Sequence, residues 1–308
     1  MKFGEFWPIY KAKKQGYVKE TSLAAYSLNW ETHLKAAFSD IDMDEVRNST
    51  LQKYVDSKVE EGLGINTIRD QIVVLKNMLK LWSLEQDTPL LSFIIIWPTK
   101  SSRQKKEREK YTNKELEALV EHCKESGSHF DKIVALAALT GLRIGELSGL
   151  QFGDFDFENS TISVRRTVGR IYDGKGKTKL YINPPKCGAS ARCIPIPSWL
   201  AKYFKTYQKL YKISEDQYIS SACSTTKTPF LEPRTLRVRF KTLCREVGIP
   251  YRSFHSLRHT YASRLLQAKV DIRTAAELLG HSDVQTTLNT YAHSDDDAKR
   301  AAAKKIFL

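Results

Sequence analysis

Apolar residues recur along most of this chain at three- and four-residue steps, the spacing of a helix face. Leu23, Tyr26, Trp30, Leu34 and Ala37 do so behind a Thr21/Ser22 cap signal. Leu51, Tyr54, Val55 and Val59 follow, ending at Gly62, and Ile65, Ile68, Ile72, Leu75, Leu79 and Trp82 form the strongest stripe. With helix-like sequence at Phe3–Tyr10, these stripes predict a helical bundle over residues 1–98, each stripe being the buried face of one helix. Residues 99–110, T-K-S-S-R-Q-K-K-E-R-E-K, hold no apolar side chain and predict a basic linker suited to lying along phosphates.

A second unit is predicted over 111–308. It opens on Thr112-x-x-Glu115, a capping-box signature ahead of Leu116, Leu119, Val120 and Cys123. Phe130–Thr140 is continuously apolar and predicts a helix at the centre of this unit. From Ser160 to Ile196 β-branched residues and glycines take over. Ile162 with Val164, Lys179–Ile182 and Arg192–Ile196 predict a small three-stranded antiparallel sheet, with turns at Asp173–Gly176 and Gly188. Helical spacing returns at Leu200–Tyr211, Leu236–Val247, Ser256–Gln267, Asp271–Leu279 and Asp283–Tyr291. The expected fold is therefore mainly α: an N-terminal helical bundle, then a mixed α/β domain that is mostly helical with a small sheet.

Length agrees, since 308 residues suit about two domains. The longest apolar stretch, Leu90–Trp97, is far short of the roughly 20 residues that cross a bilayer, so no membrane association is expected. Nor does the N-terminus carry the apolar core of a signal peptide. The 5 cysteines are odd in number and form no C-x-x-C pair, which argues against a zinc ribbon or a disulfide scaffold and for a reducing, cytoplasmic setting. Charge changes the picture further. Lys plus Arg exceed Asp plus Glu by 49 − 35 = 14, and the window 161–213 alone holds twelve bases against the single acid Asp173. Such a base-rich stripe is the footprint of a polyanion.

Three segments of the second unit carry candidate chemistry. In T-G-L-R-I-G-E-L (140–147), Arg143 and Glu146 are three apart, the spacing at which a carboxylate on the same helix face orients a guanidinium. In H-S-L-R-H-T-Y-A (255–262), His255 and Arg258 share a spacing that points a proton-transfer group and a bidentate cation the same way. A zinc site at His255 and His259 lacks the intervening Glu and a third ligand. In L-G-H-S-D-V-Q-T-T-L-N-T-Y (279–291), Gly280 suits a helix stop, Ser282-x-x-Gln285 starts the next helix, and His281 lies at the junction. Tyr291 falls on the last turn of that helix. Two arginines, two histidines, a basic turn at Pro184–Gly188 and an available tyrosine together suit the holding of a phosphodiester while a phenol attacks it. A phenol of pKa near 10 needs cations and a base beside it, and Lys186 in the basic turn is placed to protonate the leaving 5′-oxygen. Lys175, Lys177 and Lys179 compete with Lys186 for that role, and Tyr261 is the rival of Tyr291.

These strings, with Arg143, Lys186, His255-x-x-Arg258, His281 and Tyr291 in that order, resemble the tyrosine recombinases of the phage-integrase family. The resemblance implies a SAM-like core-binding domain over 1–98 and a catalytic domain over 111–308. It implies that Tyr291 is the nucleophile and forms a 3′-phosphotyrosyl link, and that Arg143 and Arg258 clamp the phosphate. His281 would donate a hydrogen bond to it, Lys186 would be the general acid, His255 would assist as base, and Glu146 would support Arg143. It further implies double-stranded DNA as partner, a tetramer on two DNA sites with C-terminal tails exchanged between protomers, and no metal, nucleotide or other cofactor. Accessory DNA-bending or excision factors, and a mobile-element or nucleoid setting, come with the same resemblance. The chain opens directly on helix-like sequence, so binding of separate arm sites is not expected. A relaxing topoisomerase of the same chemistry and a non-cleaving DNA-binding regulator are the competing functions.

Overall fold

The helical spacing is realised in a computed structural model that describes residues 1–89, 92–98, 109–174, 176–183, 192–223 and 228–280. The chain divides into two compact units, Met1–Arg103 with Arg170–Leu180, and Gln104–Gly169 with Tyr181–Leu308. Most of the 99–110 stretch expected as a linker lies outside the described residues.

In the first unit, α1 (Phe3–Lys14) presents Phe3, Phe6, Trp7 and Tyr10 to the core. Next, α2 (Glu20–Asn29) runs through a π turn at Trp30–Leu34 into α3 (Lys35–Phe38). The wide turn slips the helix register, so Phe38 is buried where the simple period pointed to Ala37, which is exposed. Trp7 stacks on Trp30 at 5.0 Å, and Phe38 meets Phe3 and Tyr54 edge-on. Helices α4 (Asn48–Glu60) and α5 (Ile65–Glu85) close the bundle with Leu51, Val55, Ile68, Ile72, Leu75 and Leu79. The apolar run after α5 lies along the bundle in an extended strap. Its backbone N–H groups at Ile94 and Ile96 donate to Asn48 and Gln52, one turn apart on α4.

The second unit is built around α7 (His129–Thr140), in which every residue from Phe130 to Ala138 is buried. Burying this helix against its neighbours contributes strongly to the domain, because each fully buried Ile, Val or Leu is worth about 1.5–3 kcal/mol. α6 (Asn113–Glu125) starts at the expected capping box: the Thr112 N–H donates to Glu115 and the Glu115 N–H to the Thr112 hydroxyl. The one buried cation of α7, Lys132, donates to the carbonyls of Cys123, Lys124 and Ser126 and so caps the end of α6. α8 (Ile144–Ser148) follows after Gly141, and α9 (Ser198–Leu210), α10 (Pro233–Val247), α11 (Phe254–Gln267) and α12 (Ile272–Leu279) complete the shell.

The β region differs from expectation in its composition. The three-stranded antiparallel sheet is β1 (Phe155–Asp156), β2 (Thr161–Val164) and β5 (Arg192–Pro195), in the order β1-β2-β5. Its register pairs Phe155 with Ile162, and Ile162 with Ile194. The expected strand Lys179–Ile182 is not part of it. That segment lies in β4 (Thr178–Asn183), which pairs with β3 (Thr167–Tyr172) in a separate two-stranded hairpin. The reason is local. β1 folds back onto β2 through a tight turn held by Asp156, whose carboxylate accepts from Glu158 and Asn159. A strand of 2 residues is too short to show alternation in sequence. Among the described residues, no helix is long and apolar enough to cross a membrane.

Candidate DNA-processing site

The site grows from the ends of three helices. Gly141, after α7, and Gly280, after α12, both adopt the left-handed conformation at φ +63, which glycine reaches without strain. Each leaves carbonyl groups at a helix end without an intrahelical partner, and a helix C-terminus carries partial negative charge. Arginines supply the missing donors. Arg258 on α11 donates to Gly141 O at 2.8 Å and to Leu279 O at 2.5 Å. Arg143 donates from Nη2 to Gly280 O at 3.0 Å, and Arg192 at the start of β5 donates from Nε to Leu278 O at 2.8 Å. Three guanidiniums thus gather on the carbonyls of Leu278, Leu279 and Gly280 at the end of α12, directly before His281 in the chain.

Glu146 is the anion that lets them gather. Arg143 is not on the same helix face as Glu146, as its spacing indicated. It is the N-cap of α8, and Glu146 sits at the third helical position in a capping box. Glu146 Oε2 accepts the Arg143 N–H at 2.9 Å and Oε1 accepts Arg143 Nη1 at 2.7 Å. Arg192 adds Nη1 to Oε1 at 3.2 Å and Nη2 to Oε2 at 2.9 Å, with both side chains 6% exposed. Burial by itself raises the Glu146 carboxyl. The hydrogen bonds and charge of Arg192, joined by Arg143, outweigh that and bring it down to about 2. Burial, with the Arg143 and Arg192 charges, lowers Arg258 to about 9, so it stays cationic at neutral pH. The ensemble is a preorganised positive cluster of the kind that binds a phosphate without reorganising.

Of the residues singled out in the sequence, Arg143, Glu146 and Arg258 come together here. His255 stands exposed on the first turn of α11, its ring edge-on to that of His259 at 4.6 Å. Tyr261 is half-buried with its phenol pushed up by burial, and its ring lies within 2.5 Å of where a Cβ on Gly141 would stand. It packs against the helix end, as befits a structural tyrosine. Lys186, His281 and Tyr291 lie outside the described residues, as does Lys175. Arg192 was not legible as a site residue. Its only sequence signal was a base at the head of a strand after the basic turn. Among the described residues no group of three or more His, Cys, Asp or Glu side chains is arranged to hold a metal ion.

Comparison with known proteins places this geometry. Residues 109–298 match the phage integrase family, and residues 2–59 match the phage integrase N-terminal SAM-like domain. A tyrosine recombinase XerC-like protein of Caldanaerobacter subterraneus subsp. tengcongensis is 29% identical over 310 residues, covering 94% of this chain and 78% of its own. The Tn1549 transposon integrase, solved with transposon right end DNA, has a TM-score of 0.75 at 20% identity, over 100% of both chains. A lambda integrase tetramer bound to a Holliday junction has a TM-score of 0.62 at 16% identity, over 94% of this chain and 77% of its own. At such identities the two structures bear on fold alone. The family match, however, runs through both arginine motifs, the buried Glu146 and the α12 end: the chain belongs to the phage integrase family and is a tyrosine-type recombinase, an enzyme that cleaves and rejoins DNA strands.

Proposed function

We propose that this recombinase cuts DNA through Tyr291 and works as a tetramer on two sites, with residues 1–98 and 111–308 gripping the duplex and 99–110 tracking its phosphates. The observation that carries this reading is the convergence of Arg143 and Arg258 on the end of α12, one residue before His281. A phosphate held there would have its non-bridging oxygens met by the two guanidiniums and a hydrogen bond from His281, which matches the charge that builds up as phosphorus is attacked. The Tyr291 oxygen forms a bond to phosphorus while the bond to the 5′-oxygen breaks. His255 takes up the phenol proton and Lys186 gives one to the leaving 5′-oxygen, which departs as a hydroxyl. The 3′-phosphotyrosyl ester keeps the bond energy, so a 5′-hydroxyl from the second duplex reverses the step and seals the exchanged strand with no metal or nucleotide required.

The match to the phage integrase family supports the mobile-element side of this reading, and the tetramer extends to this chain the assembly in which the lambda integrase, of the same fold, was solved. An accessory DNA-bending or excision factor and a cytoplasmic setting complete the proposal. The test is a duplex nicked beside the scissile phosphate, so that cleavage releases a short fragment and traps the covalent complex. The full chain is expected to become linked to DNA and Tyr291→Phe to remain unlinked. Two differently labelled duplexes are expected to be joined. Linkage by Tyr291→Phe refutes the nucleophile, no linkage by the wild-type chain indicates a regulator, and linkage without joining indicates a relaxing enzyme.

A further inference from the structure

Arg192 holds a place in this cluster that neither arginine motif accounts for. A carboxylate offers about four lone-pair sites. In Glu146 all of them are taken: Arg143 Nη1 and Arg192 Nη1 on Oε1, the Arg143 N–H and Arg192 Nη2 on Oε2. Because Arg192 occupies two, the Arg143 guanidinium makes a single bond to Glu146 instead of the bidentate pair that an arginine and a carboxylate otherwise prefer. Nη2 gives one hydrogen to Gly280 O, and the remaining donors of the guanidinium face outward from a side chain that is 39% exposed, against 6% for Arg192. Arg192 is also anchored at its other end. Its Nε holds Leu278 O, and its guanidinium lies under Gly280, so that a Cβ there would stand 2.6 Å from Nη1 and 2.9 Å from Cζ.

We infer that Arg192 is a positioning residue of the strand-cleavage site, one that keeps the Arg143 guanidinium turned to the phosphate and holds the α12 end from which His281 departs. The inference rests on Arg143 being a phosphate clamp. Arg192 itself touches no reacting atom. Its work is to outcompete Arg143 for Glu146 and to tie three separate elements together: α8, β5 and α12. Without it, Glu146 draws Arg143 into a closed bidentate pair and the last turn of α12 loses a donor. Displacement of a catalytic group by about 1 Å costs on the order of 100-fold in rate. A lysine at this position carries the charge but lacks the fork that reaches both Glu146 oxygens and Leu278 O together.

The experiment uses the full chain with Arg192→Met, Arg192→Lys and, as a control on the clamp itself, Arg143→Lys. Binding is measured on intact duplex in a Tyr291→Phe background, and single-turnover cleavage on the nicked substrate. Arg192→Met is expected to bind within about twofold of wild type and to cleave tenfold to 100-fold more slowly, with Arg192→Lys between the two. A pH profile separates positioning from mere packing. Glu146 is faced by Arg143 at the start of α8, Arg192 on β5, Arg258 on α11 and the carbonyl end of α12. With Arg192 gone, burial holds its carboxyl higher, so the cleavage rate of Arg192→Met gains a falling limb on the acid side that wild type lacks. Wild-type cleavage by Arg192→Met overturns the inference. So does parallel loss of binding, thermal stability and cleavage that Arg192→Lys fails to relieve. If Arg192→Met does not fold, wild-type cleavage by a folded Arg192→Lys overturns it equally. Wild-type cleavage by Arg143→Lys overturns the clamp reading instead.

Discussion

Replacing Glu146 with glutamine keeps the shape of the side chain and removes the anion that the Arg143 and Arg192 guanidiniums share. An amide oxygen still accepts, but its NH2 end faces two donors where Glu146 Oε1 or Oε2 faced them as an acceptor. Two charge-assisted bonds are lost, and a buried positive cluster is left unbalanced. Breaking a buried ion pair in this way costs about 3–5 kcal/mol. The depressed carboxyl, held down by the same contacts, corresponds to a similar figure. Holding it at about 2 instead of 4.5 corresponds to about 3 kcal/mol, at roughly 1.4 kcal/mol per pH unit. The sign follows from the depressed value: the stabilisation is fully present above 4.5 and is lost as pH falls toward 2. Four of the 5 tryptophans (Trp7, Trp30, Trp82 and Trp97) lie in residues 1–98, so calorimetry reports on the second unit better than fluorescence does. Unfolding followed from pH 7 down to pH 3 is expected to show Glu146→Gln less stable by about 3–5 kcal/mol at neutrality, with the gap to wild type narrowing below pH 4.5. Equal stability at pH 7, or a gap that stays constant in acid, refutes the network as the source of that stability.

Two further outcomes follow from the same structure and sequence. Gly280→Ala combines a left-handed backbone with a Cβ 2.6 Å from Arg192 Nη1, so it is expected to cost about 1–3 kcal/mol and to slow cleavage on the nicked duplex far more than it weakens binding; unchanged cleavage refutes the tight seat of Arg192. Deleting Lys304–Leu308, whose apolar Ile306, Phe307 and Leu308 end an alanine-rich charged tail, is expected to impair pairing of two DNA sites and cleavage more than binding of one duplex. Equal loss of all three counts against docking of that tail on a neighbouring protomer.

Where local chemistry decides the structure, the residues announced it. The Thr112/Glu115 box, the stop at Gly280 and the stripe Leu51, Tyr54 and Val55 all depend on groups a few residues apart, and each stands where its spacing indicated. The departures occur where a local rule met a geometry it does not encode. A π turn moved the buried face from Ala37 to Phe38. A two-residue strand displaced Lys179–Ile182 from the sheet. A capping box replaced the shared helix face assumed for Arg143 and Glu146.

The arginine, histidine and tyrosine strings therefore marked the kind of chemistry by themselves, since residue type and order are properties of the chain. How those groups meet is not. Arg192 lies 46 residues from Glu146 and 86 from Leu278, and Arg143 lies 137 from Gly280. No periodicity or motif links positions that far apart. Only folding brings a helix start, a strand start and a helix end to one point, because only there do the unpaired carbonyls of α12 and one buried carboxylate make the crowding of three cations favourable.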